Sequence, residues 1–154
     1  MKLWCNADGK QVEDQVLFDE LKCYIKSGGK IYIGSDSMLY SDKCSFASVI
    51  ALHDVELKVA KYYFKKQKEE AQLNKNLKAK ILNEVSYSVE AAQKIIDWFP
   101  EARVEIHVDI GNEKQNLTRS VVNQVRGWIQ GIGFDYKIKP NSWASSSIAD
   151  WHTK

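Results

Sequence analysis

Apolar residues change their spacing along this chain, and each change marks an element. Residues 3–6 read as a short strand, and Asp8-Gly9 as a turn. Val16, Leu17, Leu21, Tyr24 and Ile25 then recur on one side of a helix that Ser27-Gly28-Gly29 stops. Residues 30–35 carry β-branched and aromatic side chains and predict a strand with Asp36 at its C-terminal end. Two further β-rich runs, 44–52 and 55–64, are separated by His53-Asp54. Residues 30–64 are therefore expected to form a three-stranded antiparallel meander whose first hairpin loop spans roughly 38–43.

From about residue 69 to 99 the period becomes helical, with Leu73, Leu77, Ile81, Val85, Ser88, Ala92, Ile95 and Phe99 close to one stripe, and Pro100 ends it. In the strand predicted at 103–109, Val104, Ile106 and Val108 share a face and Asp109 sits at the C-terminal end. A second amphipathic helix is expected at 117–130, stopped by Gly131 and Gly133. The last strand is expected at 134–139, closed by Pro140, and a short terminal helix at 144–151 contains Asp150. After an N-terminal helix the order is β-β-β-α-β-α-β-α. That order predicts an α/β fold with a mixed five-stranded sheet and helices on its faces. Residues 1–154 read as one domain, with 1–29 an extension packed on it.

With 154 residues, 44% of them hydrophobic, the chain is the size of one globular domain with its own core. No segment approaches the run of about 20 apolar residues that a membrane span needs, and the first residues lack the apolar core of a signal peptide. The expected compartment is the cytoplasm, that of an infected host included. Cys5, Cys23 and Cys44 are odd in number and form no CxxC pair, which argues against a disulfide framework and a zinc knuckle; they read as reduced, buried or half-buried thiols. A net charge of +2 does not by itself imply a nucleic-acid partner, so any basic surface must be local.

The acidic residues Asp36, Glu84, Asp109 and Asp150 stand out because each adjoins a segment expected to be buried, where an ionised carboxylate is costly without compensation. Asp36 and Asp109 end strands, the place where open α/β sheets gather ligands. Glu84 lies one helical turn from both Ile81 and Ser88 and so points inward. Carboxylates brought together repel one another unless cations sit among them. Oxygen-only ligation suits Mg²⁺ or Mn²⁺, and paired cations of that kind cleave phosphodiesters. The bland alternatives are loop capping by the aspartates, a snorkelling Glu84, and a solvated Asp150 near a fraying end.

This element order, with its carboxylates at Asp36, Glu84, Asp109 and Asp150, resembles the ribonuclease H-like superfamily. The stretches I-Y-I-G-S-D-S at 31–37, H-V-D-I-G at 107–111 and K-P-N-S-W-A-S-S-S-I-A-D-W-H-T-K at 139–154 are similar to its YkuK family. The resemblance implies that Asp36 bridges two metals, that Glu84 and Asp109 complete the shell of one, and that Asp150 holds the other. It differs from proofreading exonucleases, which carry D-x-E where Ser37-Met38 follows Asp36 here, and from actin-like ATPases, whose phosphate hairpin bears a glycine.

Accessory candidates are Ser37, His107, His152 and Lys154, each weighed against a packing or tail role. Ser145 reads as a helix cap. Lysines 58, 61, 65, 66, 68, 75, 78 and 80 form the densest basic stretch. Of these Lys61, Lys65 and Lys66, together with Trp143, are the candidate contacts to RNA, DNA or a hybrid, and Trp151 also flanks the site. The function expected is a Mg²⁺- or Mn²⁺-dependent nuclease. The alternatives are a non-catalytic nucleic-acid-binding or assembly module and an enzyme acting on a small phosphorylated molecule.

Overall fold

The computed structural model describes residues 3–54, 59–71, 76–110 and 116–153. Lys58, Lys75, Leu73, Gly111 and Lys154, and the expected beginning of the third long strand at 55–58, lie outside the described residues. Six strands, not five, form one sheet: β1 (Cys5–Asn6), β2 (Ile31–Tyr40), β3 (Lys43–Asp54), β4 (Val59–Glu70), β5 (Val104–His107) and β6 (Asp135–Lys137), in the order β1-β4-β3-β2-β5-β6. The additional strand is the short N-terminal one. It pairs antiparallel with β4 through Cys5↔Phe64 and Asn6↔Tyr63. The meander β2-β3-β4 is antiparallel, whereas β2-β5 and β5-β6 are parallel, so the sheet is mixed.

Two strand ends lie well beyond expectation, while β3, β5 and β6 differ from theirs by one or two residues at each end. β2 continues through Asp36 to Tyr40, because residues 35–40 pair in register with 43–48 around a two-residue turn in which Ser41 takes the left-handed conformation (φ 49°). No glycine advertises that turn. β4 runs on to Glu70 as a charged strand paired with β3, where a helix from residue 69 is expected; α2 (Leu77–Trp98) begins only after Asn76, whose side chain accepts the Ala79 N–H at 2.8 Å.

Helices α1 (Asp14–Lys26), α2 and α3 (Asn116–Ile132) bury their apolar stripes on one face of the sheet. Leu17 and Leu21 belong to one buried cluster with Ile81, Val85, Ala92 and Ile95 of α2, Val121, Val125 and Ile129 of α3, and Ile31, Ile33, Ile50 and Ile106 of the sheet. Each fully buried aliphatic side chain contributes about 1.5–3 kcal/mol. Phe18 stacks on Phe99 at 4.8 Å and ties α1 to the end of α2.

The opposite face is covered by a π-helical turn, Ala144–Ala149, that continues as α4 (Asp150–Thr153). Ala149 and Ile148 pack there on Ala47, Val49, Ala51 and Phe64. Gly34 of β2 makes the approach possible. A Cβ at that position would sit 2.4 Å from the Ser145 backbone nitrogen and 2.6 Å from the Ala144 carbonyl carbon. No described helix is long and apolar enough to cross a membrane. The three cysteines are free, with Cys44 buried, Cys5 half-buried and Cys23, contrary to expectation, exposed.

Candidate active site

β5 stops opposite Gly34 of β2, while β2 runs six residues further, so the β5 side of residues 35–40 is left open. Asp36 lies on this projecting half of β2, and the pleat turns it to the face carrying α4. Its cross-strand partners are Ala47 on β3 and, next in the row, Lys66 on β4. Ser37, one residue on, faces α2.

Asp36 is buried, with 6% of its surface exposed. Burial, a hydrogen bond with Asp150 and the charge of Asp109 push its carboxyl up to about 7, against the Ser37 N–H, which lowers it. A carboxyl-to-carboxylate hydrogen bond needs a shared proton. Asp36, raised to about 7, is therefore about half protonated at neutral pH and can supply that proton.

Glu84 sits in the middle of the α2 stripe among Ile81, Val85 and Ser88, as its spacing predicts. It accepts a hydrogen bond from the Ser37 hydroxyl at 2.5 Å. Burial and repulsion from Asp36 and Asp109 push it up to about 8, opposed by the Ser37 bond and by Lys80. Asp109 lies two residues beyond the last paired residue of β5, where it accepts from Ser146 at 2.9 Å and meets the Lys139 ammonium at 3.2 Å. Neither Lys139 nor Ser146 was singled out for this role by the pattern. The only signal lay in the polar run from Lys139 to Ser147, whose serines read equally well as caps.

Across β2, α2, the end of β5 and α4, Asp36 thus senses Asp109 and Asp150, and Glu84 senses Asp36 and Asp109. They do not close on one point: among the described residues no group of three or more His, Cys, Asp or Glu side chains is disposed to hold a metal ion. Each is engaged elsewhere, Glu84 by Ser37, Asp109 by Ser146 and Lys139, and Asp36 and Asp150 by each other. In kind the donor set fits a hard divalent cation. It is all oxygen, comes from four elements, and includes two carboxyls raised by burial and mutual repulsion, a cost that a cation between them would remove.

The other sequence candidates divide. His107 is fully enclosed. Its Nδ1 accepts the Ala144 N–H at 3.1 Å, which puts the ring proton on Nε2, where it donates to Glu105 at 2.9 Å. Burial lowers the His107 pKa, so the ring is a neutral strut between β5 and the π-helical turn. Burial opposes ionisation of Glu105, but hydrogen bonds from His107 and Lys30 win and hold its carboxyl below the ordinary value. His152 bonds Tyr62 through Nε2 at 2.9 Å and stacks on Phe64 at 3.8 Å, and burial lowers its pKa. It anchors α4 rather than trailing in a tail.

Trp143 packs between Tyr32 and His107, with ring centroids at 4.9 and 5.1 Å. Lys61 pairs with Glu20 at 2.9 Å, and Lys65 lies over the Trp4 ring at 5.7 Å. Both alternate to the α2 face, as does Ser35, which bonds Ser48 and Ser88. Of the three candidate lysines, Lys66 alone shares the face of Asp36. Ser145, expected as a cap, donates to the Ser142 carbonyl at 3.0 Å, and the Trp143 side chain at the N-terminus of the turn caps nothing.

The ribonuclease H-like family model matches residues 15–154. A protein of Bacillus subtilis (strain 168), YkuK, itself uncharacterized, is 29% identical over 171 residues, an alignment that covers 99% of this chain and 97% of that protein.

Proposed function

Because this chain belongs to the ribonuclease H-like family, we propose that it is a metal-dependent nuclease that hydrolyses phosphodiester bonds of a nucleic acid. The observation that carries this reading is the gathering of Asp36, Glu84, Asp109 and Asp150, where burial, followed by hydrogen bonding and repulsion among the carboxylates, raises two of the four carboxyls to about 7 and about 8. These residues would hold two Mg²⁺ or Mn²⁺ ions, which supply an activated water and stabilise the leaving oxygen. The Ser37 hydroxyl fixes the orientation of Glu84, and Ser146 that of Asp109. Lys139 offsets part of the negative potential that a polyanion must approach. Asp36 and Glu84 would have to lose their protons before acting as ligands, so activity is expected to rise with pH between about 7 and about 8.

A panel of end-labelled single strands, duplexes, RNA–DNA hybrids and four-way junctions, incubated with Mg²⁺ or Mn²⁺, tests the reading and names the polymer. Cleavage is expected from the unaltered protein and none from Asp36→Asn or Asp109→Asn. Undiminished cleavage by either variant overturns it.

A second reading, a non-catalytic nucleic-acid-binding or assembly module, is favoured by one observation: Asp109 is already neutralised by Lys139, and no three acidic side chains among the described residues converge. Tight oligonucleotide binding without turnover in either metal would select it.

A further inference from the structure

We infer that the nucleic acid lies on the α4 face as a single strand, its backbone held by Lys66 and Lys68 and one unpaired base stacked on Trp151; this rests on the reading above for the class of polymer. Asp36, Ala47 and Lys66 form one cross-strand row, and Met38, Ser45 and Lys68 form the next row on the same face. Neighbouring strands lie about 4.8 Å apart, so the Lys66 backbone is roughly 10 Å from that of Asp36. A lysine side chain spans much of that gap.

Nearby cations are committed elsewhere: Lys43 to Glu70, Lys61 to Glu20, and Lys139 to Asp109. No ion pair among the described residues engages Lys66 or Lys68. With Lys43, already paired with Glu70, and the polar Ser41, Ser45 and Thr153 they line a depression of about 500 Å³, in which Lys66 and Lys68 face the single carboxylate of Asp42. That balance suits a phosphate backbone.

Trp151 directly follows Asp150 and has 71% of its surface open to solvent, more than any other large apolar residue of the described chain. It is not a loose side chain on a fraying end. Its neighbours hold α4 to the sheet, His152 through Phe64 and Tyr62, and Thr153 by burial and by the Tyr40 hydroxyl, which donates to its carbonyl at 2.8 Å. A rigid exposed indole offers a stacking platform, and only an unpaired base can present its face to one. Lys66 in the row of Asp36 and Lys68 in the next row, on the face that carries α4, define with this platform a track for single-stranded RNA or DNA leading to the carboxylates.

Fluorescence anisotropy with labelled single-stranded RNA, single-stranded DNA and blunt duplex, all in a chelator so that nothing is cut, tests the track. The single strands should bind tighter than the duplex. The Lys66→Ala/Lys68→Ala variant should lose about tenfold in affinity and flatten the log–log salt slope by about 1.4, two phosphates at 0.7 each. Trp151→Ala should lose about fivefold or more with the salt slope unchanged. Lys61→Ala and Lys65→Ala, on the other face, should bind as the unaltered protein does. Equal binding of duplex and single strand, unaltered binding by the Lys66/Lys68 and Trp151 variants, or no binding of any oligonucleotide overturns the track. Cleavage scored separately with Mn²⁺ keeps the two readings apart. Loss of binding in these variants without any cleavage by the unaltered protein retains the track and removes the nuclease, whereas normal binding in them alongside cleavage that needs Asp36 does the reverse.

Discussion

Asp36 and Glu84 carry carboxyls that the fold holds protonated well above the ordinary carboxylate range, Asp36 through burial, its bond to Asp150 and the charge of Asp109, Glu84 chiefly through burial. The sign of the consequence follows from proton counting. Between the unfolded carboxylate pKa near 4 and the folded values of about 7 and about 8, the native state binds more protons than the unfolded one. Stability therefore falls as pH rises through that window. The metal-free protein should unfold at a higher urea concentration at pH 5 than at pH 8. Asp36→Asn and Glu84→Gln should each flatten the profile and stabilise the protein at pH 8, together by roughly 2–4 kcal/mol. A pH-independent urea midpoint between 5 and 8 would sink this account. Ser37 works the other way: its hydroxyl donates a hydrogen bond to the buried Glu84 carboxylate and so favours the ionised form. Ser37→Ala is expected to raise the Glu84 pKa further and to shift the alkaline loss of stability upward, which carboxylate titration by NMR would follow.

At the scale of elements, the sequence was most legible where spacing and burial coincide. The stripe Ile81, Glu84, Val85, Ser88, Ala92 and Ile95 is buried as its period requires, and it carries Glu84 inward with it. The alternation of Val104, Ile106 and Val108 likewise identified β5. The strand limits were not legible, because β2 and β4 are extended by polar residues whose pairing is long-range. Ser35 and Ser37 are buried in β2 by hydrogen bonds to Ser48, Ser88 and Glu84, partners that local propensity does not register. The same long-range cause hid Lys139 and Ser146. Gly34 could be read only as part of a motif, whereas the fold assigns it a steric duty: it admits the Ala144–Ala149 turn against β2 and so brings Asp150 to Asp36. Both groups that an added methyl would meet are backbone, with no flexible side chain to yield. Gly34→Ala should cost about 1–3 kcal/mol. It should also expose residues 144–153 to amide hydrogen exchange while protection of α2 and β3 changes little. Uniform loss of protection across the molecule would show instead that the terminal helix is not a separately held unit.

For the molecule as a whole, the sheet divides the labour between its faces. α1, α2 and α3 build one continuous core on the first, and the lightly packed second face carries the terminal turn, Asp36, Lys66 and Lys68. Divalent-cation binding would therefore act on the weaker layer, tying α4 to β2 and to the end of β5. A ligand that binds only the native state stabilises it by mass action. Since the carboxyls of Asp36 and Glu84 must lose protons to bind a cation, that stabilisation should grow with pH and release protons. The expected result is a rise in Tm with millimolar Mn²⁺ or Mg²⁺ that is small at pH 6, larger at pH 8, and lost in Asp36→Asn and Asp109→Asn. Titration calorimetry in two buffers of different ionisation enthalpy should register about one proton released per cation near pH 7, the Asp36 proton being the first to go. A cation effect equal at both pH values, or one retained by Asp36→Asn, would move the binding site away from the Asp36 cluster. It would leave the raised carboxyls as a feature of stability alone.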